Sequence, residues 1–155
     1  MIKNFSMKQE YTYWLALANA ENIYTRRKNE ILAKIHEDNS SLAHFFTEEN
    51  NWKNRFDLSQ DEIQSLLQEK EKLNNYSFIV EDLLEQGYQI IPIFSSDYPK
   101  TLKKNLKFSS PILLYAYGNI ELLNKESVAI VGSRNANDTS INFTDNIASL
   151  SNSDG

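Results

Sequence analysis

The sequence predicts an α/β chain in which a helical module is followed by the start of a strand-and-helix domain. Three observations carry this. Apolar residues recur at helical spacing as far as Gly87. From Tyr88 they gather into compact runs of strand type. The last such run, Ser127-Val128-Ala129-Ile130-Val131, leads through Gly132-Ser133-Arg134 into one more helix-periodic segment.

Taken in order, Gln9 to about Ala20 places Tyr11, Trp14, Leu15 and Ala18 at i, i+3, i+4 and i+7, one stripe of an amphipathic helix. A second helix over about Tyr24 to His36 turns Ile31 and Ile35 inward. Arg26, Arg27 and Lys28 stand near its start, where positive charge opposes the helix dipole, and they are expected to be solvated. Ser40-Ser41 opens a short helix with Leu42, Phe45 and Phe46, and Trp52 and Phe56 are expected to plug the bundle from the loop that follows. Ser59-Gln60-Asp61-Glu62 is a capping box, so a helix starts there with Ile63, Leu66, Leu67 and Leu73 inward. Asn74-Asn75 interrupts it before a further helix with Ile79, Leu83 and Leu84, which Gly87 ends.

After Tyr88, the run Ile90-Ile91-Pro92-Ile93-Phe94 reads as an edge strand, because Pro92 cannot donate to a ladder. Ser95 to Pro99 is a turn, Thr101 to Asn105 a short helix, and Ile112 to Tyr117 a second strand closed by Gly118-Asn119. Leu122 and Leu123 form a brief helical turn, Val128 to Val131 a third strand, and Phe143, Ile147 and Leu150 mark a helix from about Thr139. A parallel sheet needs crossover helices and two covered faces. Only one such helix is present, so the chain reads as cut off just after its first βα unit: a fragment, a truncated gene product or a disrupted reading frame. The expected division is a helical module over 1–74, then a connecting helix and an incomplete α/β domain over 75–155.

Composition removes several kinds of chemistry. With 155 residues, 41% hydrophobic, the chain can bury a core as one domain or two small ones. It has no cysteine, hence no disulfide, thiol nucleophile or thiolate metal site, and with only His36 and His44 a histidine zinc site is not expected. Glu81, Asp82 and Glu85 read as a solvated helix face. No catalytic constellation, cofactor or metal is expected. No window approaches the ~18 apolar residues of a membrane span, and Met1 to Ser6 opens no apolar leader, so a cytoplasmic protein without a membrane partner is expected.

The formal net charge of −5 makes any anion site a local one. Gly132-Ser133-Arg134 is the first candidate. A strand ending in Gly-Ser before a helix gathers backbone N–H groups at one point, the glycine lets a phosphate approach, and the guanidinium fork matches phosphate oxygens. The competing reading is an ordinary βα turn with a solvated arginine. Lys100, Lys103, Lys104 and Lys107 form a secondary basic patch: against Asp97 they give +3 over 97–107, four lysines less one aspartate. A solvated helix face is its competing reading.

The ordered pieces resemble the DNA-processing protein A family (DprA, or Smf). They are an apolar strand after Gly87, Asp97-Tyr98-Pro99 with Leu102 three residues on, Pro111 with Leu113-Leu114-Tyr115, Gly118-Asn119, and Val128 to Arg134. The resemblance implies a SAM or helix-hairpin-helix-like helical module followed by a Rossmann-like domain, here only its truncated start. It also implies a cytoplasmic, non-catalytic single-stranded DNA-binding protein, acting in DNA processing, natural transformation and RecA loading, with RecA recombinase and a homodimer partner as associations. Gly132, Ser133 and Arg134 would then contact DNA phosphate, with most of the pocket lying beyond Gly155.

Two departures stand out. Asn135 to Ser140 replaces a small pair after the arginine and brings in Asp138, and Asn19-Ala20-Glu21-Asn22-Ile23 lacks the glycine of a phosphate-gripping hairpin loop. The helical module is therefore expected to serve packing or protein interaction. The alternatives are a nucleotide-binding or nucleotide-hydrolysing Rossmann-like protein of the lysine-decarboxylase-like group, and an independent helical protein-interaction module.

Overall fold

The computed structural model describes residues 7–153. The expectations for Met1 to Ser6 and for Asp154-Gly155 lie outside the described residues. The chain divides into two compact units, Met1–Asn124 and Lys125–Gly155. In the first, helices α1 (Met7–Asn19), α2 (Thr25–Glu37), α3 (Leu42–Thr47), α4 (Asn50–Phe56), α5 (Gln60–Glu71) and α6 (Leu73–Glu85) precede strand β1 (Tyr88–Pro92), helix α7 (Lys100–Leu106) and strand β2 (Leu113–Tyr117). Short 3₁₀ turns occupy Lys107–Ser109 and Ile120–Asn124.

Helix α1 is the axis of this unit. Trp14, Leu15, Ala16 and Leu17 are all buried. Four successive positions sweep most of a helical turn, so α1 is enclosed by α3, α5, α6 and β2 and not covered along one stripe. Phe45, Phe46, Trp52 and Phe56 make an aromatic cluster, with Phe45 edge-on to Phe46 at 5.4 Å and to Phe56 at 4.9 Å. Such ring pairs are worth about 0.5–1.5 kcal/mol each beyond area burial. Trp52 is fully buried, and its indole N–H donates to Phe45 O at 2.8 Å. Trp52 and Phe56 reach the cluster from a helix, α4, and not from a loop. That helix ends at Asp57, which takes the left-handed conformation (φ 51°, ψ 46°).

The capping box forms as expected: Ser59 Oγ accepts from Glu62 N at 3.3 Å, and Glu62 Oε2 accepts from Ser59 N at 2.8 Å. The break that follows falls at Lys72, one residue before α6, so Asn74-Asn75 lies in the first turn of α6 and does not interrupt it. Tyr76 and Val80 set the inward stripe of α6, with Leu83 and Leu84 against the core, and Ile79 turns outward. Gly87 (φ 84°) follows as the left-handed residue past the helix end, its N–H donating to Leu84 O at 3.1 Å.

The basic start of α2 is not solvated throughout. Arg27 donates from Nη2 to Phe56 O and Asp57 O, both at 2.8 Å, and from Nε to Glu62 Oε1 at 3.1 Å. It thereby closes the C-terminus of α4 and grips the capping box of α5. Lys28 donates to Ala18 O at 2.6 Å near the end of α1. Burial pulls its ammonium below the ordinary lysine value, and the Glu69 charge works the other way. Asn29 shares its two amide hydrogens among Thr25 O (3.0 Å), Phe108 O (2.9 Å) and Ser110 O (2.8 Å). Only Arg26 stays out in solvent, paired with Glu30.

Strands β1 and β2 pair antiparallel in the register Tyr88↔Tyr117 to Pro92↔Leu113. The ladder extends one step further, with Ile93 N donating to Ile112 O at 3.0 Å. Alternate N–H groups point to opposite edges, so the Pro92 nitrogen faces away from β2, as an edge position requires.

The second unit contains helix α8 (Asp138–Ser153). The expected third strand is absent: residues 126–133 have no regular structure. A strand is stabilised by partner backbone. β1 and β2 take each other, and among the described residues no third strand joins the sheet. Among the described residues the sheet is thus one antiparallel pair, β1 with β2.

Replacing Asn29 by Ala leaves the Phe108 and Ser110 carbonyls without their buried donor. This should destabilise the first unit by about 2 kcal/mol or more in urea denaturation. Glu10 supplies a pH signature. It accepts from Leu42 N at 3.1 Å, and burial raises its carboxyl above the ordinary value against the lowering effect of the Leu42 and Ala43 amides. A raised folded-state value means the folded protein holds this proton more tightly, so the contribution of Glu10 to stability grows as pH falls from neutral through that value. Glu10→Gln removes this dependence. The variant's stability relative to the native chain should be greater near about pH 7 than near about pH 4 in parallel urea titrations.

Candidate functional site

In the second unit, Gly132, Ser133 and Arg134 form an open loop before α8. Space beside Gly132 is free to 4 Å from where a Cβ would stand. Ser133 Oγ accepts from Asn135 N at 3.2 Å, which leaves the hydroxyl proton available to donate. Arg134 is exposed and enters no ion pair among the described residues. The start of α8 already carries its own cap: Asn137 Oδ1 accepts from Ser140 N at 2.9 Å, and Asp138 adds negative charge in the first turn.

A groove of about 280 Å³ runs between this loop and α8, lined in part by Val131, Gly132, Ser133, Ile141, Thr144 and Asp145. Asp145 places a carboxylate on its wall. An anion is therefore favoured at the exposed Arg134, which is outside the groove's lining, and disfavoured beside Asp145. Where a strand ending in Gly-Ser before a helix is expected, the structure has an open loop with one guanidinium.

The secondary basic patch lies in the first unit, on and just after α7. Lys100 and Lys104 are exposed. Lys103 lays its ammonium across the hairpin, donating to Ile93 O at 2.9 Å and standing 5.3 Å from the Phe94 ring centroid. Lys107 sits at φ 50°, ψ −123°, a conformation that favours glycine. Lys103 and Lys107, with Phe94 and Phe108, border a second groove of about 310 Å³ whose floor is Asn29 and Ala33 of α2. The lysines are legible in sequence, but the two phenylalanines and Asn29 are not read as part of a site. The available signal is the interleaving of aromatic and basic residues in Phe94, Lys103 and Lys107-Phe108.

The two histidines are both on the surface. His36 is exposed and stacks on Phe94 at 4.9 Å, and His44 is exposed beside Glu48 at 3.3 Å. Among the described residues no cluster of histidine and carboxylate side chains could hold a metal ion, and no helix is long and apolar enough to cross a membrane.

The conspicuous sequence pieces upstream each close a turn. Tyr98 is buried, and its hydroxyl donates to Pro111 O at 2.7 Å, which ties the turn after β1 to the entry of β2. Gly118 takes φ 94°, and Asn119 Oδ1 accepts from Glu121 N at 3.0 Å, so Gly-Asn reverses the chain after β2. Asn124 Oδ1 accepts from Lys100 N at 3.0 Å, which fixes the last turn of the unit against the start of α7.

Residues 89–155 match the family of DNA recombination-mediator protein A. The match takes in all of β1 but Tyr88, the Tyr98-Pro99 turn, both basic candidates and the Gly132-Ser133-Arg134 loop. The DprA resemblance of this stretch is thereby shown, over somewhat less than half of the chain. No curated protein and no solved structure matches the chain.

Proposed function

We propose that the chain acts in DNA processing as a non-catalytic, cytoplasmic, DprA-like single-stranded DNA-binding protein, serving natural transformation and the loading of RecA recombinase. The match of residues 89–155 to the recombination-mediator family carries this reading. Within it, 75–155 comprises a connecting helix and the start of a Rossmann-like domain, and 1–74 is a helical module for packing or protein interaction. Self-association through the exposed, unpaired run holding Val128 and Val131 belongs to the same reading.

Gly132, Ser133 and Arg134 are the proposed phosphate contacts. An open glycine, a hydroxyl with a proton to give and an exposed guanidinium hold a backbone phosphate whatever the base, as sequence-independent binding requires. Because Asp145 lines the groove behind them, the phosphate sits at the exposed Arg134. The match also favours DNA over the nucleotide-hydrolysing alternative, since it runs through the Tyr98-Pro99 and Gly118-Asn119 turns as well as the loop.

Arg134→Ala should weaken binding to oligo-dT and lower the slope of log affinity against log salt by about one. Unchanged affinity and slope would remove Arg134 from the interface. Asp145→Asn should act in the opposite direction, raising affinity about twofold, the size of an exposed charge effect. Fluorescence anisotropy over a salt series measures both.

A further inference from the structure

We infer that the groove between Phe94 and Phe108 is a stacking site for an unpaired nucleobase, with Lys103 and Lys107 serving the flanking phosphates. This deepens the DNA reading above and rests on it. It concerns a different unit of the chain from the Gly132-Ser133-Arg134 loop.

The first observation is a large apolar ring held out in solvent by a buried clamp. Phe108 is 50% exposed, and among the described residues no aromatic ring packs on it. Its backbone is nevertheless fixed: Asn29, 6% exposed, donates to the carbonyls of Phe108 and Ser110. Lys107, just before it, is in a backbone conformation costly for any residue but glycine. The buried amide thus fixes the backbone that presents the exposed Phe108 ring.

The second observation is the opposite wall. Phe94 is 43% exposed, with His36 stacked on it at 4.9 Å and Trp14 edge-on at 6.2 Å. With the Lys103 ammonium also over this ring at 5.3 Å, Phe94 is a stiff, occupied wall, and the ring open to a base is Phe108. The groove of about 310 Å³ between the walls has Ala33 in its floor.

The third observation is charge. The Lys103 ammonium uses one of its three donors on Ile93 O, leaving two for phosphate, and Lys107 stands on the same groove. Segment 97–107 carries +3 in a chain of −5. Apolar rings flanked by local positive charge suit a ligand that alternates flat π-faces with negative charges, and single-stranded nucleic acid has that chemistry without sequence preference.

The test is a titration of the isotopically labelled 155-residue chain with dT10 and with an abasic 10-mer of equal charge, followed by amide NMR. dT10 should perturb Asn29, Ala33, Lys103, Lys107 and Phe108, and bind about tenfold more tightly than the abasic strand, the effect of one stacked base. Phe108→Leu should lose that tenfold preference and leave abasic binding unchanged. Lys107→Gly, which relieves the backbone conformation and so keeps the fold, should weaken both strands equally.

Perturbation by dT10 confined to Gly132, Ser133 and Arg134, with Phe108→Leu unaffected, would overturn the groove assignment and leave the DNA reading standing. No perturbation by either strand anywhere would remove both. An acidic leucine-rich peptide that fills the groove while dT10 does not would overturn the groove assignment in favour of a protein partner.

Discussion

The first unit depends on the polar clamp at the start of α2. Arg27, Lys28 and Asn29 are consecutive, so their side chains leave the helix about 100° apart, and each reaches a different part of the chain. Arg27 closes α4 and the capping box of α5, Lys28 takes a carbonyl near the end of α1, and Asn29 holds the turn before β2. Helix ends leave carbonyl groups without intrahelical partners, and burying them unpaired is costly. Placing cationic donors there answers that need. Their position at the N-terminus of their own helix, unfavourable for its dipole, is offset by the C-termini they serve.

The same clamp links the helices to the hairpin. Asn29 fixes the Lys107–Ser109 turn, and Tyr98 and Asn124 fasten the turns on either side of α7. Residues that look like family markers in sequence thus have local physical tasks: a buried hydroxyl meeting a carbonyl, a glycine at positive φ, an asparagine side chain closing a turn. Of these only the Tyr98 hydroxyl is attached to a buried residue, where an unmade hydrogen bond is costly. Both basic candidates follow from the turns so formed: α7 and its 3₁₀ turn carry the lysines around an aromatic groove, and the loop before α8 carries the exposed Arg134.

Helices with strong local signals were legible in the sequence. Ser59 and Glu62 set the start of α5, Gly87 the end of α6, and the apolar run after Tyr88 the strand β1. Structure departs from local pattern where a non-local partner decides. Trp52 and Phe56 lie in a helix because the aromatic cluster with Phe45 stabilises one there. Ile79 turns outward because Tyr76 and Val80 win the inward face. Asn29 is far in sequence from the groove residues Phe94 and Phe108, and no spacing rule joins it to them.

The Val128 to Val131 run and the loop after it mark the division most sharply. Sequence by itself determined that the run is apolar and β-branched, that a glycine, a hydroxyl and an arginine follow, and that a helix comes next. These are matters of residue type and short-range spacing. Only the tertiary structure decided that the run is unpaired and that Asp145 lines the groove beside the loop. A strand exists through a partner backbone, and a site's charge is the sum over groups brought together from separate turns. Neither is a property of the segment alone.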